Sequence, residues 1–404
     1  MSEWKETRLK SLLSSPLTYG LNVSAEDDRE DWPRYIRITD FDDYNNLKED
    51  TFKSLPLSVA EAALLEEGDL LLARSGATAG KTFLYSKLPY GACYAGYLIR
   101  ARFNKNIALP KFISYFTKGS LYTNWKERYC IQTTIQNISA ERYNQLPIII
   151  PSVKEQQRIV DYLDKKLAAI DHRVEVLEKE KDAYARLKKS VINQAVTRGL
   201  NPNVTLKDSG IDWIGMIPEH WEAKRIKDVV ELMKEKTADT SKPYIALENI
   251  ESWNRKFVET DAETEGTNNV FCSGDILFGK LRPYLAKGFI PHYSGICSTE
   301  FFVMRASKYC DSKFFLYYIL SKPVIDYIKN KVAGVKMPRT NWAEFGGLPI
   351  FMPPLSEQQA IAAYLDEKCA KIDAAIDNIS KQIDASKRLK KAVINEAISG
   401  KVKL

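Results

Sequence analysis

The sequence of 404 residues is short of several things. It has no run approaching the roughly 18 consecutive apolar residues that a membrane-spanning helix needs. Its first residues, Met1-Ser2-Glu3-Trp4-Lys5, lack the apolar stretch of a secretory leader. Histidine is scarce: His172, His220 and His292 are the only three. None has a Ser, Cys or Asp partner at a spacing that suggests nucleophilic catalysis. The six cysteines (Cys93, Cys130, Cys272, Cys297, Cys310, Cys369) contain no Cys-x-x-Cys pair. With so few histidines a zinc site is not expected. Reduced, buried thiols in a cytoplasmic protein are the expectation, with no metal or other cofactor. Charge of one sign is also in short supply. Lys and Arg number 59 against 52 Asp and Glu, a net of +7. That excess permits a polyanionic partner without demanding one.

What is present is ordinary globular material: 45% hydrophobic, 27% charged and 11% aromatic residues. Disorder and collagen-like order are excluded. The organising feature is an internal repeat. Residues 146–200 align without a gap on residues 348–402, an offset of 202, with 26 identities in 55 positions. Shared pieces include Glu155-Gln156-Gln157 with Glu357-Gln358-Gln359, and Tyr162-Leu163-Asp164 with Tyr364-Leu365-Asp366. Apolar positions step by four and three: Leu163, Leu167, Ile170, Val174, Leu177, Tyr184, Val191, Ala195. The second copy runs Leu365, Cys369, Ile372, Ile376, Ile379, Ile383, Val393, Ala397. This is a heptad seam over about four heptads, so each copy is expected to be a long coiled-coil helix of about 43 residues. Lys181, Lys188, Ser386 and Lys390 interrupt the seam, costing stability but able to fix register. Gly199 and Gly400 sit where helix ends favour positive φ. The two copies are natural partners, and the spacing alone leaves parallel and antiparallel pairing open.

The segments before the helices are mixed α/β and echo each other weakly. Trp4-x-x-x-Arg8 matches Trp221-x-x-x-Arg225, and Gly68-Asp69-Leu70-Leu71 matches Gly274-Asp275-Ile276-Leu277, a turn into a buried strand. Leu98-Ile99-Arg100 echoes Val303-Met304-Arg305. The expected order is a variable domain over 1–145, a long helix over 146–200 and a linker over 201–218 rich in Pro, Gly, Asp and Asn. A second variable domain over 219–347 and a second long helix over 348–404 complete it.

Two pairs of loops carry the functional candidates. Gly76-Ala77-Thr78-Ala79-Gly80-Lys81-Thr82 looks like a phosphate-binding loop but is one residue short, which changes how backbone amides would wrap a phosphate. Nucleotide hydrolysis by Lys81 is therefore a weak alternative. The same stretch suits a loop approached by a phosphate backbone, with Arg74, Ser75, Thr78 and Lys81 making contacts. In the second domain Lys280, Arg282, Tyr284 and Lys287 occupy the matching place. A solvated basic turn is the bland reading of each. The second loop pair precedes the helices. Gln132, Thr133, Thr134 and Gln136 are suited to base edges. Lys336, Arg339 and Asn341 form a more basic counterpart, and ordinary turn chemistry is the competing explanation.

The layout resembles the specificity subunit of type I restriction-modification systems, over essentially the whole chain. Leu146-Pro147-x-x-x-Pro151-x-x-x-Glu155-Gln156-x-x-Ile159 and its copy Leu348-Pro349-x-x-x-Pro353-x-x-x-Glu357-Gln358-x-x-Ile361 carry the resemblance. So does Asp208-Ser209-Gly210-Ile211-Asp212-Trp213 running to Ile217-Pro218-Glu219-x-Trp221; the first domain keeps only Trp4 of this approach. The resemblance implies an α+β fold with an internal pseudo-twofold repeat. Two globular target-recognition domains would be separated by two conserved helices paired as an antiparallel coiled coil. Each domain would read one half of an asymmetric bipartite site in double-stranded DNA. Two modification (methyltransferase) subunits would dock on the helices, and restriction subunits would join through the assembled complex. Methyl transfer and DNA cleavage would belong to those partners, leaving this chain non-catalytic. A coiled-coil adaptor that binds only proteins is the alternative.

Overall fold

The computed structural model describes residues 4–25, 27–42, 45–76, 78–130, 137–264, 266–331 and 337–402, the side chain of Cys130 excepted. The chain forms two compact units, one of residues 1–177 with 381–404 and one of residues 178–380. The two long helices, Val153–Arg198 and Leu355–Ile398, each contribute to both.

In the first unit a four-stranded antiparallel sheet runs Thr18–Tyr19, Leu98–Ala101, Leu70–Ala73, Thr82–Leu84. Strand Leu70–Ala73 is apolar at every position because both faces are covered. Alternation sends Leu70 and Leu72 into one core and Leu71 and Ala73 into another. A parallel pair, Arg34–Ile36 with Ala92–Tyr94, backs the second core. The second unit repeats the plan. Its sheet runs Val230–Met233, Phe301–Ala306, Ile276–Gly279, Gly288–Phe289, and Ile276 and Phe278 face one core while Leu277 faces the other.

Both residues of each Gly-Asp turn have a structural task. Gly68 and Gly274 have φ of 94° and 87°, a region open to glycine. Asp69 and Asp275 are buried and each receives a guanidinium through two bonds: Arg102 at 2.8 and 2.8 Å, Arg305 at 2.8 and 3.0 Å. The counterpart of Arg305 is therefore Arg102, two residues beyond the Arg100 that the sequence echo suggests. Sheet register decides this, since Leu70 faces Ala101 while Ile276 faces Met304.

The shared motifs of the helices hold each domain in place. Gln156 is fully buried; its Oε1 accepts from Leu109 N at 2.8 Å, and its Nε2 donates to the Ile107 and Pro151 carbonyls. Gln358 repeats this with Asp311 N, Tyr309 O and Pro353 O. Asp164 receives Lys111 and Tyr115; Asp366 receives Lys313 and Tyr317, both at 2.8 Å. Trp4 Nε1 donates to Glu155 and Trp221 Nε1 to Glu357, each at 3.2 Å. The lone Trp4 thus makes the contact that the fuller second motif makes.

Within each unit the helices run antiparallel. In the first, Gly400 at the end of one lies against Trp4, which is bonded to Glu155 at the start of the other. In the second, Gly199 approaches Glu357. Three of the four polar seam positions have partners among the described residues: Lys188 reaches Asp373 at 2.6 Å and also Asn254, and Lys390 reaches Asp171 at 2.6 Å. Ser386 is buried and bonds the Gln382 carbonyl of its own helix. Gly199 and Gly400 take φ of 73° and 72°, as expected for helix ends.

Two segments depart from the expected order. Pro147–Ile150 is not helical but a strand paired with Lys5–Arg8, matched by Pro349–Met352 with Glu222–Arg225. The stretch 201–218 holds a hairpin, Leu206–Asp208 with Met216–Pro218, and Trp213 stacks on Tyr327 with centroids 4.9 Å apart. Cys93, Cys297 and Cys310 are buried free thiols, pushed up to about 12 by burial, while Cys272 is exposed. No helix among the described residues is long and apolar enough to cross a membrane.

Candidate nucleic-acid interface

The two loop pairs singled out in sequence meet in space, and they meet in the same way in both units. In the first, Arg74 donates its N–H to the Tyr97 carbonyl at 3.0 Å, and its own carbonyl accepts from Ile138 N at 2.7 Å. Ser75 bridges Asn137. In the second, Lys280 N donates to the Glu300 carbonyl at 2.8 Å, and the Lys280 carbonyl accepts from Thr340 N at 3.0 Å. Leu281 bridges Arg339. A shared backbone frame therefore presents different side chains. Gln132, Thr133, Thr134, Gln136 and Lys336 lie outside the described residues.

The frame leaves some candidates outward and turns others in. Thr78, Arg282, Arg339 and Asn341 are exposed; Arg74, Ser75, Lys280 and Tyr284 are half-buried. The Arg74 guanidinium lies 4.8 Å over the Tyr19 ring and the Lys280 ammonium 5.9 Å over Phe302. Arg282 has no side-chain partner among the described residues and a left-handed backbone, φ 47°; its N–H donates to the Pro338 carbonyl, tying the two loops together. Arg339 pairs with Glu300, Nε to Oε2 at 3.1 Å and Nη2 to Oε1 at 3.1 Å. The Glu300 hydrogen bond and charge raise the Arg339 pKa.

Three candidates are committed to their own domain. Lys81 Nζ donates to the Phe41 carbonyl at 2.5 Å, and Lys287 Nζ donates to the Leu247 carbonyl at 2.8 Å. Burial lowers the Lys287 pKa. Asn341 caps the helix Trp342–Gly346, its side chain accepting from Glu344 N at 2.9 Å. The loop that looked like a phosphate cradle is spent internally as well. Ala79, Gly80 and Lys81 amides donate to the Gly76, Ala73 and Thr78 carbonyls at 2.9, 2.8 and 3.0 Å. A strand, Thr82–Leu84, comes next, where a nucleotide-binding loop needs a helix N-terminus.

Sequence reasoning missed residues that share this surface. A cavity of about 580 Å³ beside Ser75 and Thr78 is lined also by Ser24, Arg37, Thr39 and Tyr97. Tyr97 is 64% exposed. Glu300 belongs to the same surface through its pairing with Arg339. Among the described residues no group of three or more His, Cys, Asp or Glu side chains is arranged to hold a metal.

The family described as the type I restriction modification DNA specificity domain matches residues 1–179 and 218–385, once for each domain. The chain belongs to this family. Curated relatives agree. The specificity subunit of the type I restriction enzyme EcoDI of Escherichia coli is 23% identical over 293 residues, covering 67% of this chain. That match spans 65% of the EcoDI subunit, just under two thirds of its length. The putative MjaX specificity subunit of Methanocaldococcus jannaschii is 25% identical over 432 aligned positions, covering 100% of this chain and 94% of that subunit. Among solved structures, a chain of a type I R-M system superposes with a TM-score of 0.73 at 16% identity, covering 98% of this chain and 97% of the other. The HsdS subunit from Thermoanaerobacter tengcongensis gives 0.57 at 17% identity, covering 99% and 97%. At those identities the structural likeness speaks for the mixed α/β fold with its two long helices.

Proposed function

We propose that this chain is the cytoplasmic DNA-reading subunit of a type I restriction-modification complex. Each unit reads one half of an asymmetric bipartite site in double-stranded DNA. The loops around residues 74–78 and 137 serve one half-site, and those around 280–284 and 337–339 the other. The long helices carry two methyltransferase subunits, and restriction subunits join that assembly. Methyl transfer and cleavage are assigned to those partners, and no chemical step is routed through this chain.

One observation supports this reading above the rest. The same backbone frame occurs twice with different side chains upon it. A rigid frame with variable contacts is what sequence discrimination requires, since phosphate contacts position a protein and base contacts specify. Unlike side chains in the two units argue against a palindromic target.

A domain exchange tests it. Residues 1–145 are replaced by the first domain of another family member, and the chimera is expressed with its methyltransferase subunit. Modified adenines are then mapped by long-read sequencing. One half of the methylated motif should change while the other stays. A change in both halves, or no bipartite motif with the parent chain, refutes the proposal.

A further inference from the structure

We infer that Arg339, held in place by Glu300, reads a guanine in the half-site recognised by the 178–380 unit. The inference rests on the DNA-reading function above and names a residue and a base for it. Glu300 ties both loops of the interface. Its backbone carbonyl accepts from Lys280 N at 2.8 Å, and its carboxylate accepts from Arg339 Nε and Nη2, each at 3.1 Å. The Glu300 side chain is 25% exposed and that of Arg339 is 52% exposed.

The pairing uses one edge of the guanidinium. Nε–H and one Nη2–H face the carboxylate. The other Nη2–H and both Nη1–H groups have no further acceptor among the described residues. The free Nη2–H and the Nη1–H that faces it form a second parallel pair of donors, and guanine presents two acceptors, O6 and N7, along its major-groove edge. Arginine is the one side chain whose planar fork serves two bidentate partners at once. Fixing the plane before binding reduces the ordering cost at contact.

Phosphate is the competing target, and the charge pattern argues against it. A carboxylate beside the arginine repels the full negative charge of a phosphate much more than the partial charges of a neutral base edge. The described residues of the matching frame in the first unit lack the device. There the residue whose carbonyl accepts from the matching loop is Tyr97, and the bridging partner is Asn137. Neither carries charge. The guanine reading assigned to Arg339 therefore belongs to one half-site.

The test uses the full chain with its methyltransferase subunit in a host that lacks the system, with modified adenines mapped genome-wide. Wild type should yield one bipartite motif with an invariant guanine (cytosine on the other strand) in one half. Arg339→Ala should relax that single position, roughly ten- to a hundredfold in discrimination, and leave every other position intact. Arg339→Lys keeps the charge but not the fork and should relax the same position. Glu300→Gln removes the acid that fixes the fork and should relax it partly. Retention of the full motif in Arg339→Ala, or full guanine discrimination in Arg339→Lys, overturns the inference. So does relaxation spread over both halves. Absence of any bipartite motif with the wild-type chain instead overturns the DNA-reading function on which it rests. Melting curves of the variants at this exposed position separate unfolding from loss of reading.

Discussion

Replacing Lys188 by methionine should destabilise the 178–380 unit by about 3 kcal/mol, and replacing its partner as well should restore most of the loss. Lys188 interrupts the apolar seam of the first long helix. Its side chain is 9% exposed, that of Asp373 is 17% exposed, and the two meet at 2.6 Å. Lys188→Met would leave the Asp373 carboxylate without its cation in a mostly dry site, and breaking such a pair costs about 3–5 kcal/mol. The residual exposure of Asp373 places this case at the low end. Lys188→Met with Asp373→Leu removes both charges and should fall within about 1 kcal/mol of wild type, since a packed apolar pair replaces a buried ionic one at little net cost. The pseudo-twofold counterpart provides an internal control. Lys390 is 16% exposed but Asp171 is 56% exposed, so solvent screens that pair and Lys390→Met should cost about 1 kcal/mol or less. Denaturant unfolding gives the energies as a double-mutant cycle. Amide exchange assigns the loss to one unit, which matters because a chain of two units need not unfold in one step. The reasoning fails if Lys188→Met costs no more than Lys390→Met, or if the double variant is as unstable as the sum of its parts.

Other perturbations probe the remaining frame. Gln358→Leu strips partners from Asp311 N and from the Tyr309 and Pro353 carbonyls, and should cost about 2–4 kcal/mol in the second unit; Gln156→Leu should do the same in the first, both read by denaturant midpoints. Lys81→Ala should leave any phosphate release from ATP unchanged from the wild-type background and lower stability by about 1 kcal/mol through the lost bond to Phe41. A loss of hydrolysis on that substitution would revive the nucleotide reading. Acid should weaken the Asp366 clasp. Burial works to raise this carboxyl, but bonds from Lys313 and Tyr317 and the nearby Arg255 outweigh it and hold it below its ordinary range. Its contribution is thus complete above about pH 4, the unfolded value, and fades as pH falls through the lower folded value. Asp366→Asn should flatten the acid limb of the stability profile below pH 4, and an unchanged limb would contradict the clasp.

Much of the architecture was legible because the repeat made the sequence its own comparison. The seam positions expected from spacing are buried or half-buried throughout, and the shared Glu-Gln and Tyr-Leu-Asp pieces turn out to be docking points. The strand at Pro147–Ile150 was hidden inside the repeat because duplication marks what is shared, not its secondary structure. The signal was there in an Ile run bounded by prolines at 147 and 151. Direction was the harder matter. Residue type marks Lys81 and Lys287 as possible contacts, but only packing shows both ammonium groups turned onto backbone carbonyls 40 residues upstream. Asn341 illustrates the same limit, since an amide suited to a base edge is equally suited to a helix cap. Glu300 escaped notice because the second domain replaces Tyr97 with a residue of opposite character, and the weak echo between domains does not extend to that turn.

The division of the chain has a consequence for the order in which it is made. The first unit draws on residues 1–177 and again on 381–404, whereas the second is continuous. Ile394, Ala397 and Ile398 are almost fully buried in the core of the first unit, beside Leu163 and Leu167. During synthesis the segment that emerges first must therefore wait, with an apolar stripe uncovered, until residues 381–404 have been made. The segment made in between can close its core before those residues exist. A chain stalled or clipped near residue 380 would hold a completed second unit and an unsealed first one, exposing sticky surface to whatever lies nearby.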